Sequence, residues 1–148
     1  MDKLTIVRPD DWHLHVRTGA VLQAVITATA QQFGRAIIMP NLKPPVTSVQ
    51  QALSYRDEIL SVLPVGSDFQ PLMTLYLTGN TSQDDVKQVA ESDYVHAFKL
   101  YPAGATTNSD SGVSNIETAY PVFEAMEKLD VPLLIHGEVT DEKYDIFD

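Results

Sequence analysis

Short apolar runs alternate with helix-length segments along the whole chain, and that rhythm is the strongest constraint on its fold. Residues 4–7 (Leu-Thr-Ile-Val) open a first strand that continues into the stretch around His13. Residues 19–32 carry apolar side chains at helical spacing and are rich in alanine, with Gly34 placed as a C-cap. Residues 36–39 (Ala-Ile-Ile-Met) form an unbroken apolar run, the pattern of a strand covered on both faces of a parallel sheet. Lys43-Pro44-Pro45 predicts a stiff loop. Ser48 then caps a helix reaching to about Val62. Residues 70–77 read as a third strand. Ser82 caps the next helix, whose first turn holds Asp84 and Asp85 at the positive end of its dipole. Residues 95–100 form a fourth strand, 101–113 a long loop, and 116–129 a helix capped by Asn115. A fifth strand over 131–135 runs into His136-Gly137-Glu138.

A βαβ alternation of this kind builds a parallel sheet covered by helices. Two architectures satisfy it. An open doubly wound sheet closes in about this length. A TIM (β/α)8 barrel needs roughly 250 residues, so a chain of 148 would hold only the first half, strands 1 to 5.

Composition narrows the function. Net charge is −10 and the isoelectric point is near 4.6, which argues against a nucleic-acid or anionic-membrane partner. It leaves a small anionic substrate open, because one local cation overrides the overall field. There is no cysteine, so disulfides and thiolate metal sites are excluded. No run approaches the roughly 18–20 apolar residues of a membrane span, and no signal-peptide core stands at the N-terminus, so a cytoplasmic protein is expected.

The chemistry concentrates at strand ends. His13 and His15 lie two positions apart, so on an extended strand they share a face while Leu14 turns away, and Arg17 continues the same phase. Asn41 follows the second strand, Lys99 ends the fourth and His136 ends the fifth. In a parallel α/β sheet all these ends meet at one edge, where such folds carry their sites. Two imidazoles on one face make half of a metal site. A plain ammonium at Lys99 would repel the metal. It would serve there as a base or Schiff-base amine if its pKa were lowered, or as an anionic ligand if carbamylated by CO2.

The stretch Asp11-Trp12-His13-Leu14-His15-Val16-Arg17 resembles the His-x-His-x-Arg signature of the amidohydrolase superfamily. Met39-Pro40-Asn41, the run from Phe98 through Lys-Leu-Tyr-Pro-Ala-Gly-Ala-Thr-Thr-Asn to Ser109, and Leu134-Ile135-His136-Gly137-Glu138 resemble more narrowly the class II bacterial dihydroorotases. The resemblance covers the chain in order, and it implies a (β/α)8 barrel with a binuclear zinc centre. It implies that His13 and His15 bind one zinc, that N6-carboxylated Lys99 bridges two, and that His136 binds the second. It places His15, Arg17, Asn41 and His136 around the substrate, with Arg17 and Asn41 on its α-carboxylate, and Thr106 and Thr107 on a mobile lid. The implied reaction is the reversible cyclisation of N-carbamoyl-L-aspartate to L-dihydroorotate in pyrimidine biosynthesis, by a homodimer. The family's further metal-binding His, substrate-binding His and general-base Asp fall in the second half of the barrel. None of Asp141, Asp145 and Asp148 stands at a matching strand end, so residues 1–148 are expected to be the N-terminal portion of one longer barrel domain.

Blander readings apply elsewhere. His96, three residues before Lys99, faces the other side of its strand as a structural or surface histidine. Trp12 and Leu14 are packing residues, Tyr101 packs its loop or touches ligand, and Glu117, Glu124 and Glu127 form a solvated helix face. The competing functions are another cyclic-amide hydrolase of hydantoinase or allantoinase type, a non-catalytic half-barrel, and a Schiff-base aldolase built on Lys99.

Overall fold

Strand order separates the two architectures. The computed structural model describes residues 3–139 and 143. Its five strands are β1 (Asp10–Leu14), β2 (Arg35–Ile38), β3 (Gln70–Leu77), β4 (Val95–Leu100) and β5 (Leu133–Ile135). They lie side by side in chain order, and every neighbouring pair is parallel. A doubly wound sheet reverses its order at a switch point. This sheet never reverses: it winds one way, curling as the first half of a (β/α)8 barrel. The four helices are α1 (Gly19–Gln32), α2 (Val49–Ser61), α3 (Gln83–Ala90) and α4 (Tyr120–Lys128).

Period 2 along the strands divides the sheet into two faces. Ala36, Ile38, Met73, Leu75, Leu77, Phe98 and Leu100 belong to one core with Leu22, Ile26 and Ala30 of α1, Ala52, Tyr55 and Ile59 of α2, Val86 and Val89 of α3, and Val122 and Met126 of α4. Each large side chain buried there contributes about 1.5–3 kcal/mol relative to exposure. The alternate positions Thr74, Tyr76 and Lys99 fall on the other face, toward the barrel interior, and Tyr76 and Lys99 are register partners. The Ser48 and Ser82 caps are complete capping boxes, closed by Gln51 and Asp85.

Four local expectations are corrected. Residues 4–7 form no strand: Leu4, Ile6 and Val7 are 86%, 70% and 90% exposed. Pairing begins only at Asp10 opposite Arg35, to which it is also ion-paired, and Pro9 has no N–H to give a ladder. Gly34 is not the α1 cap. Extended Phe33 takes that place, and Gly34 joins strands instead, its N–H donating to Pro9 and its carbonyl accepting from Gln70. The segment after Asn115 starts as a 3-10 turn, Ile116–Ala119, and becomes α-helical only at Tyr120, with Pro121 in the first turn where its missing N–H costs nothing. Trp12 is 64% exposed and does not pack, whereas Leu14 meets the core. Glu117, Glu124 and Glu127 are all exposed, in line with a solvated face. No described helix is long and apolar enough to cross a membrane. Asp141, Asp145 and Asp148 lie outside the described residues.

The loop over 101–113 has its own structure. Ser109, 1% exposed, accepts from the Thr106 amide through Oγ at 2.9 Å and donates to the Thr106 carbonyl at 2.6 Å. The Gly104 and Gly112 amides both donate to the Ser109 carbonyl, at 3.2 and 2.9 Å. Gly112 tolerates no side chain, since a Cβ would stand 2.4 Å from the Tyr101 carbonyl oxygen and 2.9 Å from that of Ser109. At Gly79 a Cβ meets nothing within 4 Å. Gly112→Ala is therefore expected to destabilise by about 1–3 kcal/mol, as overpacking does, while Gly79→Ala stays near neutral. Urea denaturation of both variants checks this, and equal midpoints would contradict it.

Candidate active site

The curled sheet carries its polar residues to the rim at the C-terminal ends of the strands. His13 is the last residue but one of β1, and its amide is fixed by the Asp11 carboxylate at 2.9 Å. His15 follows one residue beyond the strand. Their Nε2 atoms face each other at 3.1 Å, with ring centroids 5.1 Å apart. Arg17 does not continue the strand phase. It takes φ +58°, in the left-handed region, and the buried Tyr55 hydroxyl donates to its carbonyl at 2.8 Å. That turn brings the guanidinium over the end of β2, where Nη1 donates to the Asn41 carbonyl at 3.1 Å. Arg17 and Asn41, 24 positions apart, thus meet directly.

Lys99 is 3% exposed on the interior face, and among the described residues its ammonium has no hydrogen bond or ion pair. Its Nζ stands 5.3 Å from the Tyr101 ring centre. Burial without a counter-charge lowers its pKa, enlarging the fraction that is a neutral, nucleophilic amine. The Tyr101 ring lies 5.0 Å from that of Tyr76 and 6.0 Å from that of His136. Burial pushes the Tyr76 hydroxyl up to about 12 and raises that of Tyr101 as well. Tyr101 therefore packs between site residues, and its buried hydroxyl has no hydrogen-bond partner among the described residues.

The two ring nitrogens of His13 and His15 fit one metal ion. Tetrahedral zinc with nitrogens at about 2.05 Å holds two of them roughly 3.3 Å apart, close to the spacing seen. Both imidazoles are biased to the neutral, ligating form. Partial desolvation is the main cause for each, reinforced by Lys99 at His13 and by Arg17 at His15. His136 is near enough for its charge to act on His13, but its Nε2–H donates to Glu138 at 2.6 Å. Among the described residues no three His, Asp or Glu side chains form one cage. Lys99, whose charge acts on both His13 and His15, stands beside the histidine pair.

Thr106 and Thr107 are exposed at the tip of the 101–113 loop, and Asn41 Nδ2 donates to the Thr107 carbonyl at 3.0 Å. His96 is exposed on the opposite phase of β4 to Lys99, outside this group, as its spacing predicts. Tyr55 and Asn108 contribute contacts that the sequence did not announce. No motif marks a tyrosine in α2, whereas an asparagine inside a Gly-Ala-Thr loop is a recognisable left-handed position.

No family profile matches the chain. Individual relatives do. Residues of this chain are 63% identical over 146 positions to a dihydroorotase from Cupriavidus necator, covering 99% of the chain and 42% of that protein. A dihydroorotase from a Picosynechococcus species is 58% identical over 148 positions, with 100% and 43% covered. Over nearly its whole length the chain is similar to dihydroorotases. It spans about two fifths of the length of the dihydroorotases it matches. Among solved structures, the dihydroorotase of Campylobacter jejuni superimposes with a TM-score of 0.83 at 40% identity, over 90% of this chain and 39% of that one. The dihydroorotase of Saccharomyces cerevisiae in complex with 5-fluoroorotic acid gives 0.81 at 32%, over 93% and 38%. An L-hydantoinase from Arthrobacter aurescens, at 14% identity and a TM-score of 0.67, shares the barrel fold alone.

The neutral histidine pair has a consequence for pH. Their lowered pKa values mean that the unfolded chain takes up protons first as pH falls below the ordinary value of 6.5. Stability is retained above that value and declines as pH falls from it toward the lowered folded values, because there the unfolded state binds more protons. Proton NMR of the metal-free protein is expected to give His13 and His15 midpoints below 6.5. A midpoint at or above 6.5 for either would contradict the neutral pair.

Proposed function

We propose that this chain is the N-terminal portion of a single dihydroorotase barrel domain and supplies half of its active site. The reaction is the reversible, zinc-dependent closure of N-carbamoyl-L-aspartate to L-dihydroorotate and water, a step of pyrimidine biosynthesis in the cytoplasm. The observation that carries the reading is the meeting of Arg17 and Asn41 beside the histidine pair, in a chain 63% identical to a dihydroorotase.

Ring closure joins the terminal ureido nitrogen to the side-chain carboxyl carbon, and the α-carboxylate takes no part. That spectator group is the natural handle. Arg17 offers it a planar fork of donors, and Asn41 offers the second N–H of its amide. Arg17 gives the rim a local cation for an anionic substrate in a protein of net charge −10. In this reading His13, His15, carboxylated Lys99 and His136, once turned from Glu138, would hold two zinc ions. Bound zinc supplies Lewis acidity, polarising the reacting carbonyl and acidifying water. His15 and His136 also border the substrate, and Thr106 and Thr107 close over it from the loop. Burial of Lys99 favours carbamylation, because only the neutral amine reacts with CO2. The enzyme is proposed to act as a homodimer.

In the full-length polypeptide, Lys99→Ala is expected to lose bound zinc and at least a hundredfold in turnover, measured by metal analysis and by the cyclisation assay. Arg17→Gln is expected to raise KM for carbamoyl-aspartate about 10- to 100-fold, the loss of a charge-assisted hydrogen bond, with a smaller change in kcat. Wild-type behaviour of Lys99→Ala, or faster opening of hydantoin than of dihydroorotate by the parent enzyme, would overturn the reading.

A further inference from the structure

Asn41 is 2% exposed, and its backbone carbonyl is held from two sides. Arg17 Nη1 donates to it at 3.1 Å, and Asn108 Nδ2 donates to it at 3.0 Å. Asn41 returns a hydrogen bond from its own Nδ2 to the Thr107 carbonyl, at 3.0 Å. Asn41 and the Thr107–Asn108 peptide are thus tied by a reciprocal pair of side-chain-to-backbone bonds, across more than sixty positions of sequence. The Asn108 carbonyl in turn accepts from the hydroxyl of Tyr76, a fully buried residue and the register partner of Lys99. Asn108 itself has φ +58°, a left-handed conformation that asparagine adopts more readily than other residues with a side chain. The backbone there is shaped to present the amide.

We propose that Asn108 is a positioning residue for the anion-holding pair, its side-chain amide fixing the Asn41 carbonyl against the Arg17 guanidinium. The inference rests on the reading that Arg17 and Asn41 hold the substrate carboxylate, and it adds a residue that touches no reacting atom. A guanidinium on a flexible stem binds a carboxylate well only when its plane is set in advance. Here the plane is set by one carbonyl, and Asn108 sets that carbonyl. The bond from Asn41 to Thr107 uses one N–H of the amide and leaves the other for the ligand. Loop tip and anion site are therefore built on the same residue, and a ligand at Arg17 experiences the state of the loop through Asn41.

The test is made in the full-length enzyme with 5-fluoroorotic acid, the ligand in the solved yeast relative, as probe. Asn108→Gly keeps the left-handed backbone and removes only the amide. Asn108→Ser, too short to reach Asn41, removes it by a second route. Both are expected to fold with near-parental thermal midpoints and to weaken the probe about fivefold by calorimetry, the scale of one lost neutral hydrogen bond. KM for carbamoyl-aspartate should rise by a similar factor while kcat is largely kept. In an Arg17→Gln background, Asn108→Gly should add little, because the guanidinium that it positions is already lost. Parental affinity in both Asn108 variants, with binding lost in Arg17→Gln, would overturn this inference and leave the site reading standing. Undiminished binding in Arg17→Gln would overturn the site reading and this inference together.

Discussion

A parallel sheet wound in one direction places the C-terminal ends of its strands on one rim, and the site depends on that geometry. His13, Asn41, Lys99 and His136 are spread over more than a hundred positions of sequence, each just inside or just beyond a different strand. Right-handed crossovers put all the helices on the outer face, where the apolar core forms. The inner face is left to the alternate residues, and there a lysine can be buried in register with a tyrosine. The same packing that stabilises the sheet strips Lys99 of water and gives it no counter-charge. Its lowered pKa is a consequence of the fold.

Most of the frame was legible in the sequence because its signals were local. Apolar runs of strand length, serine caps followed by Gln51 or Asp85, and an alanine-rich helix all act over a few residues. Barrel and doubly wound sheet remained equivalent at that level, because strand order is a tertiary property, and the observed unbroken order decided it. Residues 4–7 show the opposite failure. Their composition is that of a strand, but strands need partners, and β2 begins too late to provide one. Gly34 was misread for a related reason: a glycine after a helix suggests a cap, yet its N–H and carbonyl are claimed by neighbouring strands.

The site was legible in its residues and less so in its geometry. The His-x-His spacing foretold a shared face, and the Nε2 atoms do meet. Arg17, read as a third member of that alternation, reaches Asn41 only because the chain leaves the strand by a left-handed turn pinned by Tyr55. Periodicity contains no information about such a turn. His136 shows the limit from the other side: its position at a strand end was clear, while its hydrogen bond to Glu138, two residues on, depends on side-chain choice.

The central claim is that Lys99 is a buried amine prepared to become an anionic metal ligand beside His13 and His15. Anomalous scattering at the zinc edge, from crystals of the full-length enzyme grown with zinc and bicarbonate, tests it most directly. The account predicts two neighbouring peaks, one against the histidine pair, with density extending from Lys99 Nζ between them. A single peak remote from Lys99, or an unmodified Lys99 beside two occupied metals, would contradict it.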